Sequence, residues 1–189
     1  MRFTVPFVAV AATVLLVEGC ALFQAHHRTP VELQVELTPE KIERGRYLAN
    51  NQMACMTCHS PLAHDTHTPV AGKLGAGGRE FGRVAGLPGV IYSTNLTPDP
   101  ETGLGNWSDG EILRALREGV SKDGHALFPL MPYPNYQAMS DEDATAIIAY
   151  LRSLPPVKNP IPGRELDFPV NMLVNTIPKP VEGTVPPPP

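Results

Sequence analysis

The sequence predicts a small helical domain whose core is completed by a group other than protein. Three observations carry this reading. Three segments show helical apolar spacing with defined starts and stops, and a Cys-x-x-Cys-His run stands directly after the first of them. Almost fifty residues then separate that run from the second helix with no long periodic element, although they include seven glycines from Gly72 to Gly89. A loop of that length is at odds with a compact domain unless something else fills the interior. At 189 residues the chain has room for one domain and its tails. Hydrophobic residues at 42% and charged residues at 18% exclude both a multi-pass membrane protein and a wholly disordered chain. A net charge of −4 lacks the basic excess that nucleic-acid binding draws on.

Met1 and Arg2 precede an apolar run from Phe3 to Val17, too short for the roughly twenty residues that span a bilayer and of the length of a secretory signal core. The run ends in Leu16-Val17-Glu18-Gly19-Cys20, which resembles the lipobox of bacterial lipoproteins, with Glu18 where a small residue is usual. Residues 1–19 are thus expected to be a lipoprotein-type signal peptide, with Cys20 lipidated after cleavage. A signal peptide without lipidation and an uncleaved anchor are the alternatives, and all three imply export. Lipid on Cys20 would hold the chain on the periplasmic face of a membrane and explain the odd cysteine among three. Residues 20–37 form a tether leading into an extended segment, in which Val31, Leu33, Val35 and Leu37 alternate with polar residues.

The compact domain is expected over 38–154. Thr38 caps a helix that has Pro39 at its first position and runs to about Gln52. Ser108 and Glu111 form a capping box ahead of the stripe Ile112, Leu113, Leu116 and Val120, and Gly119 can stop that helix. Ser140 and Asp143 open a third, with Ala144, Ile147, Ile148 and Leu151 at i, i+3, i+4 and i+7, ended by Pro155-Pro156. Gly45 has no Cβ and lets the first helix approach the third near Tyr150 and Leu151. Eleven of the 22 prolines fall in the arm 155–189. Its stretch from Leu166 to Val174 is too apolar for a spacer, so the arm is expected to pack on the domain or on a partner.

Cys55-Met56-Thr57-Cys58-His59 carries the chemistry. Two cysteines three apart on a helical turn can both reach one porphyrin edge and form thioethers with its vinyl groups, while the adjacent His59 projects its imidazole at the iron. A thioredoxin-like pair would need a βαβ context that the sequence lacks. A zinc site borrowing His64 and His67 has a spacing foreign to the common fingers, and a chance match is the third alternative. Export favours covalent haem c, and the glycine-rich loop would wrap it. For the second axial position, Met131 is the best placed, in Phe128-Pro129-Leu130-Met131-Pro132-Tyr133, a segment stiffened by Pro129, Pro132 and Pro134. Met139 precedes a helix cap and reads as packing, His125 lies in a polar turn, and Met172 completes the pool. His64 and His67 read as surface residues. Trp107 and Tyr92 can offer an N–H or O–H to a haem propionate or simply pack in the core, and Arg79 and Arg83 can pair with propionates or face solvent.

The segments Gly45-Arg46-Tyr47-Leu48, Cys55 to His59, Asn95-Leu96-Thr97-Pro98-Asp99, Gly103-Leu104-Gly105-Asn106-Trp107-Ser108-Asp109, Met131-Pro132-Tyr133, Met139-Ser140-Asp141-Glu142-Asp143 and Tyr150 to Pro156 together resemble class I cytochromes c. More narrowly, they are similar to the cytochrome domains in the multihaem subunit of membrane-bound alcohol, aldehyde and sugar-acid dehydrogenases. Those subunits carry three C-x-x-C-H sites, whereas this chain has one. The resemblance implies an all-α class I cytochrome c fold with one covalent haem, crossing first and last helices, and His59 and Met131 as axial ligands.

The function expected is that of a monohaem carrier with no catalytic residues. It would pass single electrons in a periplasmic respiratory chain from a membrane-associated dehydrogenase toward a terminal oxidase or another cytochrome. A permanent dehydrogenase subunit, attached through the arm, is one variant. A haem enzyme or gas sensor with an open distal site is the alternative class. Burial of the iron and a neutral, soft thioether from Met131 both favour the ferrous form, so the expected potential is comparatively high.

Overall fold

A computed structural model describes residues 29–63 and 68–186. The apolar run from Phe3 to Val17, Cys20, His64 and His67 lie outside the described residues. Among the described residues no helix is long and apolar enough to cross a membrane.

The helix signals act where the sequence places them. Thr38 Oγ1 accepts from the Lys41 amide at 3.3 Å and opens helix α1, Pro39–Tyr47. The path continues from Leu48 to Gln52 as a wider π-type turn, so the expected helix to Gln52 is present with its last turn loosened. Ala54, at φ 51°, then reverses the chain into a single turn, α2, Cys55–Cys58. Strands β1, Glu80–Phe81, and β2, Gly89–Tyr92, follow. Helix α3, Asp109–Glu118, starts with both arms of its capping box in place, the Glu111 amide on Ser108 Oγ at 3.1 Å and the Ser108 amide on Glu111 Oε2 at 2.8 Å. A short α4, Tyr133–Tyr136, precedes α5, Asp141–Ser153, where Ser140 Oγ accepts from the Asp143 amide at 3.1 Å. Strand β3, Glu165–Leu166, and a one-turn α6, Val170–Leu173, lie in the arm.

Helices α1 and α5 pack face to face. A Cβ at Gly45 would stand 1.8 Å from the Ala146 carbonyl oxygen and 2.9 Å from Tyr150 Cβ, so only glycine allows this approach. From α5, Ala144, Ile147, Ile148 and Leu151 are all buried, and they join Leu48, Ala49, Met56, Leu104, Ile112, Leu116 and Tyr136 in the main core. Each large apolar side chain removed from water stabilises the fold by about 1.5–3 kcal/mol.

One expectation needs amendment, and one alternative is decided. The domain is helical but not wholly so. The order β1-β2-β3 makes a small antiparallel sheet, with Glu80 opposite Tyr92 and Phe81 opposite Ile91 on one side, and Gly89 opposite Leu166 and Val90 opposite Glu165 on the other. Its strands are two to four residues long, too short for a period-two pattern to register. They form because loop backbone shielded from water needs partners. The arm, for its part, packs on the domain. Val174 is 1% exposed and packs with Ala126, Phe128 and Leu166. The Val185 carbonyl caps α5 by accepting from the Asp141 amide at 2.8 Å. At the other end Leu33 and Val35 turn inward, and the Val35 amide donates to Asp109 Oδ2 at 2.8 Å, whereas Val31 and Leu37 are exposed.

Candidate functional site

Ala54 occupies the left-handed region, where a side chain costs about 1–2 kcal/mol. This kink lets α2 leave α1 abruptly and stack Met56, 4% exposed, into the main core. Cys55 packs against that core half-buried, and Cys58, one helical turn on, is exposed; neither forms a disulfide. Burial pushes the Cys55 thiol up to about 11, so it stays neutral at ordinary pH.

The turn is held from one side by two loop segments, 77–79 and 93–94. His59 Nδ1 lies 2.7 Å from the Thr94 carbonyl oxygen. A carbonyl only accepts, so Nδ1 carries the proton and the neutral ring keeps its lone pair on Nε2. Burial lowers the His59 pKa, and the bond to Thr94 opposes that shift. The Gly77 amide donates to the His59 carbonyl at 2.7 Å. Gly77 itself, at φ +69°, lies so close to Thr94 that a Cβ would fall 2.5 Å from its carbonyl carbon and oxygen. Arg79 Nη1 donates to the Thr57 carbonyl at 2.8 Å.

Met131 sits on a bend between α3 and α4. Its amide donates to the Phe128 carbonyl at 3.1 Å, its carbonyl accepts from the Tyr133 amide at 2.8 Å, and its side chain packs partly buried against the same core as Cys55. Trp107 packs on that core too, with its carbonyl bonded to Arg152 Nη2 at 2.5 Å.

Other predicted residues find other partners. The Tyr92 hydroxyl donates to Glu80 Oε2 at 3.3 Å, and burial together with that carboxylate raises the Tyr92 pKa. Arg83 makes a two-pronged pair with Asp167 at 2.5 and 2.7 Å, holding the arm to the loop. Met139 is buried in the core. His125 Nδ1 bonds Ser121 Oγ at 2.9 Å in a surface turn, and Met172 is 38% exposed on α6.

Residues Asn95 to Asp99 have a structural task that their sequence does not announce. Asn95 is 2% exposed and Thr97 0%. Asn95 Nδ2 donates to the Val157 carbonyl at 2.8 Å, its Oδ1 accepts from the Thr97 amide and hydroxyl at 2.9 and 2.8 Å, and the Val157 amide donates to Thr97 Oγ1 at 3.1 Å. This network fixes the peptide after Thr94 and ties it to the arm. The only hint in the sequence is a cluster of short polar side chains that favour bonds to nearby backbone.

These residues fit haem c. They offer two thiols one turn apart, an imidazole oriented through Nδ1 by the Thr94 carbonyl, and a thioether on the same apolar core. The cytochrome c family model matches residues 42–155, from the first turn of α1 to just past α5. The chain belongs to the cytochrome c family.

Membership implies covalent haem c for this cytochrome, and the matched span takes in α2, Thr94 and Met131. It is 38% identical over 137 residues to the cytochrome c subunit of the gluconate 2-dehydrogenase of Pantoea cypripedii, covering 69% of this chain and 27% of that protein. It is 37% identical over 132 residues to the cytochrome c subunit of the quinone alcohol dehydrogenase of Gluconobacter oxydans, covering 69% and 25%. With the fructose dehydrogenase cytochrome subunit of Gluconobacter japonicus the identity is 34% over 173 residues, 91% of this chain and 33% of the relative. The chain therefore spans a third or less of the length of these relatives.

Proposed function

We propose that this cytochrome is a monohaem electron carrier rather than an enzyme. It accepts single electrons from a membrane-associated dehydrogenase and delivers them toward a terminal oxidase or another cytochrome. The observation that carries this reading is the C-x-x-C-H turn with His59 Nδ1 bound to the Thr94 carbonyl, because that bond aims the free nitrogen and raises its donor strength. Cys55 and Cys58 would hold the haem by thioethers, and His59 Nε2 and Met131 Sδ would ligate its iron. Haem c supplies a one-electron ferric/ferrous couple when bound. The chain's own part is to anchor the attachment turn by burying Met56 of α2 in one core with Leu48, Leu104 and Leu151, to keep His59 in one tautomer, and to hold Met131 between two backbone hydrogen bonds.

Relatives named as cytochrome subunits of dehydrogenases support the donor class. Lipid on Cys20 would keep the carrier beside a membrane-bound donor on the periplasmic face, raising effective concentration without any new contact. The test mixes purified, matured protein with a quinone-type alcohol dehydrogenase and ethanol while the visible spectrum is followed. Reduction that requires both additions supports the carrier reading. Turnover of alcohol, aldehyde or peroxide by the cytochrome alone contradicts it. Cys20→Ser should move the protein from the membrane to the soluble fraction.

A further inference from the structure

Arg79 is anchored in a way that surface solubility does not require. Its amide donates to Ser93 Oγ at 3.0 Å and its carbonyl accepts from the Ser93 amide at 2.9 Å. The guanidinium carbon stands 5.2 Å from the centre of the Phe81 ring, a cation–π distance. Nη1 then reaches the Thr57 carbonyl at 2.8 Å, the peptide oxygen between Cys55 and Cys58. Backbone, ring face and carbonyl together fix one rotamer of a long side chain. The positive charge faces a ring and a carbonyl, and among the described residues no carboxylate forms a salt bridge with it.

We propose that Arg79 is a positioning residue of the haem-attachment turn and that its charge raises the reduction potential. This rests on the haem c reading above. By holding the Thr57 carbonyl it keeps the two thiols one turn apart, in step with the Gly77 and Thr94 bonds that hold His59. Its fixed charge beside the turn disfavours the extra positive charge of the ferric state. The effect is moderated because the side chain is partly exposed. Lysine keeps the charge but lacks the planar fork that spans ring and carbonyl together.

The experiment compares matured wild type, R79K and R79Q by redox titration of the visible spectrum and by covalent haem per chain. R79Q should shift the ferrous-to-ferric ratio at a fixed solution potential roughly three- to tenfold toward ferric, a tenfold shift being about 59 mV for one electron. R79K should stay within about twofold of wild type. High salt should narrow the gap between wild type and R79Q. An R79Q potential equal to wild type, or an R79K potential lowered as far as that of R79Q, overturns the proposal. If R79Q matures without haem, R79K decides alone: a ratio within about twofold of wild type supports the proposal, and a shift of about threefold or more toward ferric overturns it. Wild type that matures without covalent haem would instead defeat the function proposed above, so the two failures are distinct.

Discussion

Gly45→Ala is the sharpest probe of the helix crossing. The new Cβ would lie 1.8 Å from the Ala146 carbonyl oxygen, 2.5 Å from its carbon and 2.9 Å from Tyr150 Cβ. Carbon normally approaches such an oxygen to about 3.3 Å, so α1 and α5 must part by roughly 1.5 Å. Helix propensity works the other way, since alanine is better than glycine by about 1 kcal/mol. Overpacking costs about 1–3 kcal/mol and more where backbone must move, and here the obstruction is backbone. Separation would also loosen Ile147, Ile148 and Leu151, all buried on α5. The net loss should be about 2 kcal/mol, which for a chain of this size lowers the melting temperature by about 4–8 °C. The assay is a thermal melt of matured protein followed by far-ultraviolet circular dichroism. Gly163→Ala, with nothing within 4 Å of the added atom, is the control. A Gly45→Ala protein as stable as wild type would refute the crossing as described.

Three further outcomes are expected. Met131→Ala should keep covalent haem, lose the long-wavelength sulfur-to-iron band and bind carbon monoxide readily when reduced; the same loss in Met139→Ala but not in Met131→Ala would reassign the ligand. Truncation after Leu154 removes Val157 from the Asn95 and Thr97 network and Val174 from its cluster, so it should lower the melting temperature and broaden the haem spectrum, whereas a removable docking arm would leave both unchanged. Arg83 holds the Asp167 carboxyl below the usual carboxylate range, so the pair contributes above about pH 4 and is lost as pH falls through the lowered folded value. Protection of the Asp167 amide, which donates to the Pro88 carbonyl at 3.0 Å, measured against its intrinsic exchange rate, should fall below that pH, and in Asp167→Asn should be low already at neutral pH.

Local signals were legible in the sequence wherever one residue acts on its near neighbours. The Thr38, Ser108 and Ser140 caps, the stop at Gly119 and the α5 stripe are all of this kind, and each stands where periodicity and capping place it. Gly45 was readable as a point of close approach because a helix interior otherwise disfavours glycine. The sheet was not legible, since two-residue strands carry no alternation and the β2–β3 pairing joins residues more than seventy positions apart. The same limit applies to the site. Cys55, Cys58 and His59 fall within five residues and announce themselves, and Met131 stands out as a thioether among prolines. Which atoms Arg79, Arg83 and Tyr92 bind depends on how distant loops fold back. Long-range geometry sent Arg79 to the Thr57 carbonyl, Arg83 to Asp167 and Tyr92 to Glu80. The buried network around Asn95 was hidden for the same reason, because its partner Val157 lies 62 residues away.

How much haem each mature chain carries, and by what bond, is the most direct measure of the carrier reading. Protein matured in a host with export and haem-attachment machinery should be denatured, extracted with acidic acetone and weighed by intact-mass spectrometry, with iron measured in parallel. The expected result is one haem per chain retained through extraction, one iron, no zinc, and loss of most attached haem in Cys55→Ser and Cys58→Ser. A mature chain with peptide mass alone, or with zinc in place of iron, would contradict it.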